Sequence, residues 1–220
     1  MTDNLREVFN QIARSWYNFR HHTIFRVELE ELAIRWKGGK LLNIGCGHGA
    51  DFLPFIKSFE LHGIDFSVEM LKLAVKYAEK YKFTAGLVTA DATALPYKDA
   101  SFDKAIAVAT YHHLTNKQRL PAFNELKRVL KPGGEAFITV WNRWQPRFWL
   151  KREDLKVPWR MKDKTLYRYY HLFTYGKLVQ LARQADFEVV RISAERHFRF
   201  PLKIFSRNIC ILVKKAQKTV

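Results

Sequence analysis

Three glycines at alternate positions, Gly45, Gly47 and Gly49, follow the short apolar run Lys40–Ile44. Asp65 ends a second strand-like run, sixteen residues after the last of them. Glycine accepts positive φ and admits a ligand close to the backbone. An aspartate at the end of the next strand can accept hydrogen bonds from both hydroxyls of a ribose. The pattern therefore predicts capture of a ribose-bearing ligand where a strand, a glycine loop and the helix starting at Asp51 meet. The spacing is Gly-x-Gly-x-Gly, not the Gly-x-Gly-x-x-Gly of dinucleotide folds. No Gly-x-x-x-x-Gly-Lys-Ser/Thr is present, so phosphate cradling is not indicated. For the loop alone, a tight turn without a ligand is the plain alternative. Asp65 and a third-strand aspartate in register, Asp91, argue against it.

Two further groups could do chemistry. His112 and His113 end the fourth strand-like run, at the edge where parallel sheets bind ligands. No further convergent ligands point to a metal, and no Cys-x-x-Cys is present. The pair is left as structural, substrate-contacting or, less simply, a general base. The stretch 141–170 carries nine Lys or Arg, eight aromatics and three acids. Arg143, Arg147, Arg160 and Arg168 interleave there with Trp141, Trp144, Trp149, Trp159, Tyr169 and Tyr170. Aromatics stack on unpaired bases while cations track phosphates, so a nucleic-acid platform is expected. An apolar lid with snorkelling basic side chains is the alternative.

The elements that must position these groups follow from periodicity. Strand-like runs at 40–44, 60–64, 85–90, 103–109 and 135–140 alternate with helices near 51–57, 67–80 and 117–130. A last helix over 174–185 precedes a closing pair of strands at 187–192 and 209–214. This order predicts an α/β fold: a doubly wound, mostly parallel seven-stranded sheet with helices on both faces. Residues 3–19 and 22–36 read as two amphipathic helices, so 1–39 is expected to form an N-terminal helical cover. Residues 141–173 are expected to be a basic-aromatic insert. The stretch Glu195–Ser206, with Arg196, His197, Phe198, Arg199, Phe200, Lys203 and Phe205, is expected to give the same groove a second wall.

A chain of 220 residues suits one domain, 1–220, with a full core. The formal net charge is +17, and it is unevenly placed. Residues 1–140 hold 19 basic and 15 acidic side chains, and residues 141–220 hold 19 and 6. A surplus of +13 in the second part suggests a polyanionic partner. A lysine-rich solvated surface of thermophilic type is the other reading. No apolar run is long enough to span a membrane, and Met1–Glu7 lacks a secretory apolar region. With only Cys46 and Cys210, a reduced cytoplasmic setting is expected.

These motifs resemble the class I S-adenosylmethionine-dependent methyltransferases. The likeness is carried by Asn-Ile-Gly-Cys-Gly-His-Gly at 43–49, Gly-Ile-Asp-Phe-Ser at 63–67, Asp91-Ala-x-x-Leu-Pro96 with Asp99-x-Ser-Phe-Asp103, and Leu130-Lys-Pro-Gly-Gly134. The resemblance implies that Gly45, Cys46, Gly47 and Gly49 face the methionine part of S-adenosylmethionine. It further implies that Asp65 holds the ribose, that Asp91 and Ala92 face the adenine, and that Phe66 and Ala109 belong to the cofactor site. Tyr17 and Arg20 are expected either to reach the methionine carboxylate or substrate, or to pack and be solvated. One departure is Asn43, which stands where the family usually has an acid.

Other parts resemble one branch, the tRNA wobble-uridine methyltransferases: Phe9-Asn-Gln-Ile-Ala13 with Trp16-Tyr-x-x-Arg20, Tyr111-His-His-Leu114, Val140-Trp141 and Arg168-Tyr-Tyr-His-Leu-Phe173. That branch esterifies a carboxymethyl group on C5 of the wobble uridine. A carboxylate is ionised at neutral pH and needs no strong base, only positioning. Arg20, His113 and Arg168 are expected to hold the carboxylate, and Tyr169 or Tyr170 to stack on the base. A small-molecule methyltransferase acting on a quinone or an acid is the alternative, and a non-catalytic RNA-binding protein of the same fold is a third reading. The resemblance also implies a small zinc-binding activator along the edge strand Ala85–Ala90, and Val88→Pro is expected to abolish that contact if the Val88 amide faces the partner. Lys80 and Lys82 could instead simply protect that edge.

Overall fold

The computed structural model describes residues 2–199 and 201–217, with side chains from Leu5 onward; Phe200 of the expected second wall lies outside them. Strands β1 (Gly39–Ile44), β2 (Phe59–Asp65), β3 (Gly86–Thr89), β4 (Phe102–Val108) and β5 (Leu130–Trp141) run parallel. An outlying hairpin, β6 (Asp154–Arg160) and β7 (Thr165–His171), comes next in the chain. Strands β8 (Phe187–Ala194) and β9 (Asn208–Lys215) then complete a seven-stranded sheet in the order β3-β2-β1-β4-β5-β9-β8. Only β9 is reversed, and it pairs antiparallel with both β5 and β8.

The helices cover both faces because the strands are apolar on both. Helices α4 (Asn116–Val129) and α5 (Tyr175–Gln184) bury Phe123, Leu126, Leu178 and Ala182 against Leu42, Ile44, Ile138 and Ile211. The other face, with Leu41, Ile106, Phe137 and Leu212, packs beneath α2 (Arg26–Trp36) and one end of α3 (Val68–Tyr81). Ser67 caps α3, its hydroxyl accepting from the Met70 amide at 3.2 Å.

Helix α1 (Thr2–Phe19) lies on α3 and buries Val8, Phe9 and Ile12 in a separate cluster with Met70. Four expectations need correction here. The second helix starts at Arg26 rather than His22, and Ile34 is 79 % exposed. Its docking is set by Glu135, whose carboxylate accepts from the Arg35 guanidinium and the Trp36 indole, both at 2.6 Å. Thus α2 braces the flank of the sheet, and of these two helices it is α1, with the turn after it, that covers the carboxyl ends of the strands. The helix expected near 51–57 is a six-residue 3-10 helix, Ala50–Phe55, shortened by Pro54.

The insert is the hairpin. Its inward face carries Leu155, Val157 and Trp159 on β6, opposite Tyr170, Arg168 and Leu166 on β7. The Trp159 indole donates to the Ser15 hydroxyl at 2.9 Å and its ring lies 5.4 Å from Trp16, which seats the hairpin on α1.

Candidate functional site

The carboxyl ends of β1, β2 and β4 open into a cavity of about 420 Å³, roofed by α1 and the hairpin. The glycine loop is its floor. Gly45, Gly47 and Gly49 all have positive φ, at 69°, 53° and 89°. Gly45 has no room for a side chain, since a Cβ there would lie 2.4 Å from the Thr110 side chain. Nothing lies within 4 Å of a Cβ built on Gly47, so the space above that residue is free for a ligand. Gly49 is off the cavity wall. Its amide donates to the Cys46 carbonyl and closes the turn, which corrects its expected ligand contact.

Asp65 ties the loop to β2. One carboxylate oxygen accepts from the Gly47 amide at 2.8 Å and the other from the Ser67 amide at 2.9 Å. Each oxygen keeps a second lone pair for a ribose hydroxyl. Asp91 and Ala92 stand on the adjoining wall, with Asp91 accepting from the Thr93 amide at 2.8 Å. Cys46, Phe66 and Ala109 also border the cavity, and Ala109 is held at φ 54° with its amide donating to Thr139.

The methionine end of such a ligand is zwitterionic, and the wall carries both complementary signs. Arg20 enters the cavity from the end of α1, its guanidinium 5.8 Å from the Trp16 ring centre. Asp51 faces the same space and was missed from sequence, where it reads only as a helix start. Burial pushes the Asp51 carboxyl up to about 6, against the opposing pull of the Thr23 hydroxyl and Arg20. Tyr17 does not reach the cavity. Its ring packs edge-on against His48 at 5.2 Å and His21 at 5.1 Å, which is the packing alternative. Asn43 is fully buried, with neither amide atom partnered among the described residues, and it does not border the cavity.

Asp65 is likewise raised to about 6, mainly by burial. Both carboxyls must be ionised to accept ribose hydroxyls or pair with an ammonium. Affinity for S-adenosylmethionine should therefore fall as pH drops through about 6, by roughly tenfold for each carboxyl, or about 100-fold for the two together, at one unit below that value. The ligand-free fold should respond oppositely. With these two carboxyls raised in the folded chain, it takes up protons more readily than the unfolded one between about pH 4 and 6, and gains stability as pH falls there. Calorimetric titration at about pH 5 and 7.5, with Asp65→Asn and Asp51→Asn removing part of the dependence, checks the sign.

The opposite wall is built by the hairpin and the short turn Tyr111–His113. Arg168 is 5 % exposed, donates to the Tyr170 hydroxyl at 2.9 Å, and has no partner for its Nε among the described residues. Both Arg20 and Arg168 have their affinity for protons lowered, chiefly by burial, and no carboxylate forms a salt bridge with either among the described residues. Arg20 has the Asp51 carboxyl nearby, whereas Arg168 has none, so the wall at Arg168 accommodates an anion.

His113 corrects one expectation. Its Nδ1 faces the Tyr169 carbonyl at 2.8 Å and must donate to it, which leaves Nε2 as an acceptor. Burial holds the ring neutral, at about 3. A neutral acceptor cannot hold a carboxylate. Tyr170 is corrected too: it is 2 % exposed, with His112 stacked on it at 4.7 Å and Trp141 at 4.2 Å, and is no open platform. Tyr169 borders the cavity with its hydroxyl tied to Asp154 and Arg119. Exposed Phe19 and the half-buried Trp16, Trp141 and Trp159 also line the cavity, with the Arg168 guanidinium over Trp16 and Trp159. Arg143, Arg147 and Arg160 lie outside it. Arg143 donates to the Phe148 carbonyl at 2.7 Å, Arg147 lies over Phe148 and Trp141, and Arg160 is exposed at the end of β6.

Residues 41–134 match the family model described as a methyltransferase domain. A protein from Encephalitozoon cuniculi whose name assigns it to the methyltransferases is 30 % identical over 168 residues, 73 % of this chain and 75 % of that protein. The chain belongs to the S-adenosylmethionine-dependent methyltransferases. The mouse tRNA (carboxymethyluridine(34)-5-O)-methyltransferase ALKBH8 is 33 % identical over 139 residues, 63 % of this chain. This chain spans only 20 % of that longer protein. Among solved structures, a Haloferax volcanii chain in complex with the Trm112 methyltransferase activator superposes with a TM-score of 0.72 at 16 % identity, covering 98 % of this methyltransferase and 99 % of that chain. The open space over Gly47, the doubly anchored Asp65 and the Arg20–Asp51 pair fit S-adenosylmethionine as the methyl donor. No helix among the described residues is long and apolar enough to cross a membrane.

Proposed function

We propose that this methyltransferase esterifies the carboxylate of a 5-carboxymethyl-type uridine at the wobble position of tRNA. The observation that carries this reading is Arg168, a buried guanidinium with an unpartnered Nε on the same cavity as Arg20. Such a cation costs free energy until an anion arrives, and a carboxylate oxygen is the nucleophile an ester-forming site must hold. When bound, S-adenosylmethionine supplies the methyl group, its C–S bond breaking as the C–O bond forms. Arg168 orients the carboxylate and sheds its water, Arg20 being engaged with the methionine end of the donor, while the neutral histidines take no proton from it. The same cation would accept a small carboxylic acid. The exposed basic hairpin and the name of the mouse relative favour RNA. Methyl groups transferred from labelled donor to tRNA should be released as methanol by mild alkali. Alkali-stable label would point to nitrogen or carbon methylation instead.

The basic surface outside the cavity would bind the rest of the tRNA. Exchanging Arg147 and Arg160 for alanine should weaken tRNA binding and flatten its log–log salt slope by about 1–2, leaving cofactor affinity unchanged. Filter binding at several salt concentrations measures it, and equal slopes would return the insert to the lid reading.

A small zinc-binding activator would pair along β3, which is outermost and has only β2 beside it. Register corrects the test of that contact. The Ala90 amide donates to the Asp65 carbonyl, so Val88, two residues earlier, also turns its backbone to β2. Leu87 and Thr89 present theirs outward. Thr89→Pro, not Val88→Pro, should abolish co-purification with an activator while preserving the sheet. Full tRNA methylation by the isolated chain, without gain from the activator, would exclude the partner.

A further inference from the structure

The two histidines at the end of β4 are neutral rings with opposite hydrogen-bonding character. His113 Nδ1 lies 2.8 Å from the Tyr169 carbonyl oxygen, which can only accept. The proton therefore sits on Nδ1, and Nε2 carries a lone pair. His112 Nδ1 lies 3.2 Å from the Trp141 backbone amide, which can only donate. Here Nδ1 carries the lone pair and Nε2 the proton. Neither Nε2 has a partner among the described residues, and both rings line the cavity.

Packing prevents either ring from exchanging these roles. His112 is stacked on Tyr170 with the ring centres 4.7 Å apart and the planes at 18°. His113 is held edge-on between Phe9 at 5.1 Å and Tyr170 at 4.4 Å. Turning either ring over would set a carbon against the backbone group it now bonds, leaving that group unsatisfied in a buried site.

The wall thus offers one donor and one acceptor side by side. Resting on the wobble-uridine reading, we propose that His112 and His113 read the imide edge of the target base and select uracil over cytosine. Uracil presents O4 as an acceptor beside N3–H as a donor. The His112 Nε2–H would donate to O4, and His113 Nε2 would accept from N3–H. Cytosine has the same ring size with both polarities reversed, an amino group at position 4 and a lone pair at N3. Against it both contacts become like facing like, and two buried polar groups go unpaired. The carboxymethyl arm leaves C5, next to the carbonyl that His112 would bind, and is then free to reach Arg168.

The test uses anticodon stem-loop RNAs carrying 5-carboxymethyluridine, 5-carboxymethylcytidine or 3-methyl-5-carboxymethyluridine at the wobble position. The cytidine and the N3-methyl analogue should each be methylated with kcat/KM lower by roughly 100-fold or more. His113→Leu should lower the uridine-to-cytidine ratio by about tenfold, because the variant no longer distinguishes N3–H from a lone pair while His112 still tells O4 from an amino group. Calorimetry with S-adenosylmethionine confirms that this variant keeps its fold. Comparable methylation of uridine and cytidine by the wild type, or an unchanged ratio in His113→Leu, would overturn the base-reading role and leave ester formation standing. Failure to methylate any of the three RNAs would remove the proposed function and this inference together.

Discussion

Replacing Arg168 by methionine is expected to lower kcat/KM for a carboxylate-bearing substrate by roughly 1000-fold, while the melting temperature stays the same or rises. Its guanidinium sits 5.6, 4.9 and 5.2 Å from the ring centres of Trp16, Trp159 and Tyr170, and its one hydrogen bond among the described residues goes to the Tyr170 hydroxyl. Aromatic faces repay part of the desolvation of a buried cation, but an unpartnered Nε remains. Methionine fills the same slot without a charge, so the ligand-free protein loses a cost while the substrate loses its counter-ion. Lysine should not rescue, since a point charge lacks the planar fork that grips two carboxylate oxygens. Steady-state kinetics and thermal denaturation on the same preparation decide it. Activity within tenfold of wild type, or a fall in melting temperature of many degrees, would mean that Arg168 is a structural cation.

The second large effect separates two glycines of one loop. Gly45→Ala should cost about 2–4 kcal/mol of stability, because its Cβ would meet Thr110 at 2.4 Å in a left-handed backbone. Gly47→Ala has open space around its Cβ and should cost only about 1 kcal/mol, the strain of a positive φ. Yet the methyl group projects into the space that S-adenosylmethionine would occupy, so affinity for the donor should fall by about 100-fold or more, as expected for overpacking a fitted site. Thermal melts and calorimetry separate the two effects. Wild-type donor affinity in a folded Gly47→Ala would move the donor away from the loop.

The parallel sheet was legible because its strands are buried on both faces and read as short apolar runs between turn signals. Asp65 was legible through its distance from the loop, a consequence of strand and helix lengths. The hairpin was not, because residues 154–160 read as a basic-aromatic tract whose alternation of half-buried and exposed positions is obscured by the lysines and arginines. Its polarity is set by the docking of Trp159 on α1, a contact between residues 144 apart in sequence. Asp51 was hidden for a similar reason: only the fold of the turn after α1 brings Thr23 and Arg20 to it. His113 was found as a site residue but given the wrong chemistry, since its tautomer depends on a carbonyl of β7 that sequence does not place beside it. Tyr17 and Arg20 are three residues apart on one helix end, and packing against His48 decides which of them meets the cavity.

The most direct measurement is nucleoside mass spectrometry of tRNA incubated with this protein and S-adenosylmethionine, with and without a candidate activator. The predicted result is a gain of one methyl mass on a 5-carboxymethyl-type wobble uridine, lost again on mild alkaline treatment. A methyl group on another nucleoside, or the wobble carboxymethyluridine left unchanged while the donor is consumed on a small acid, would contradict the account.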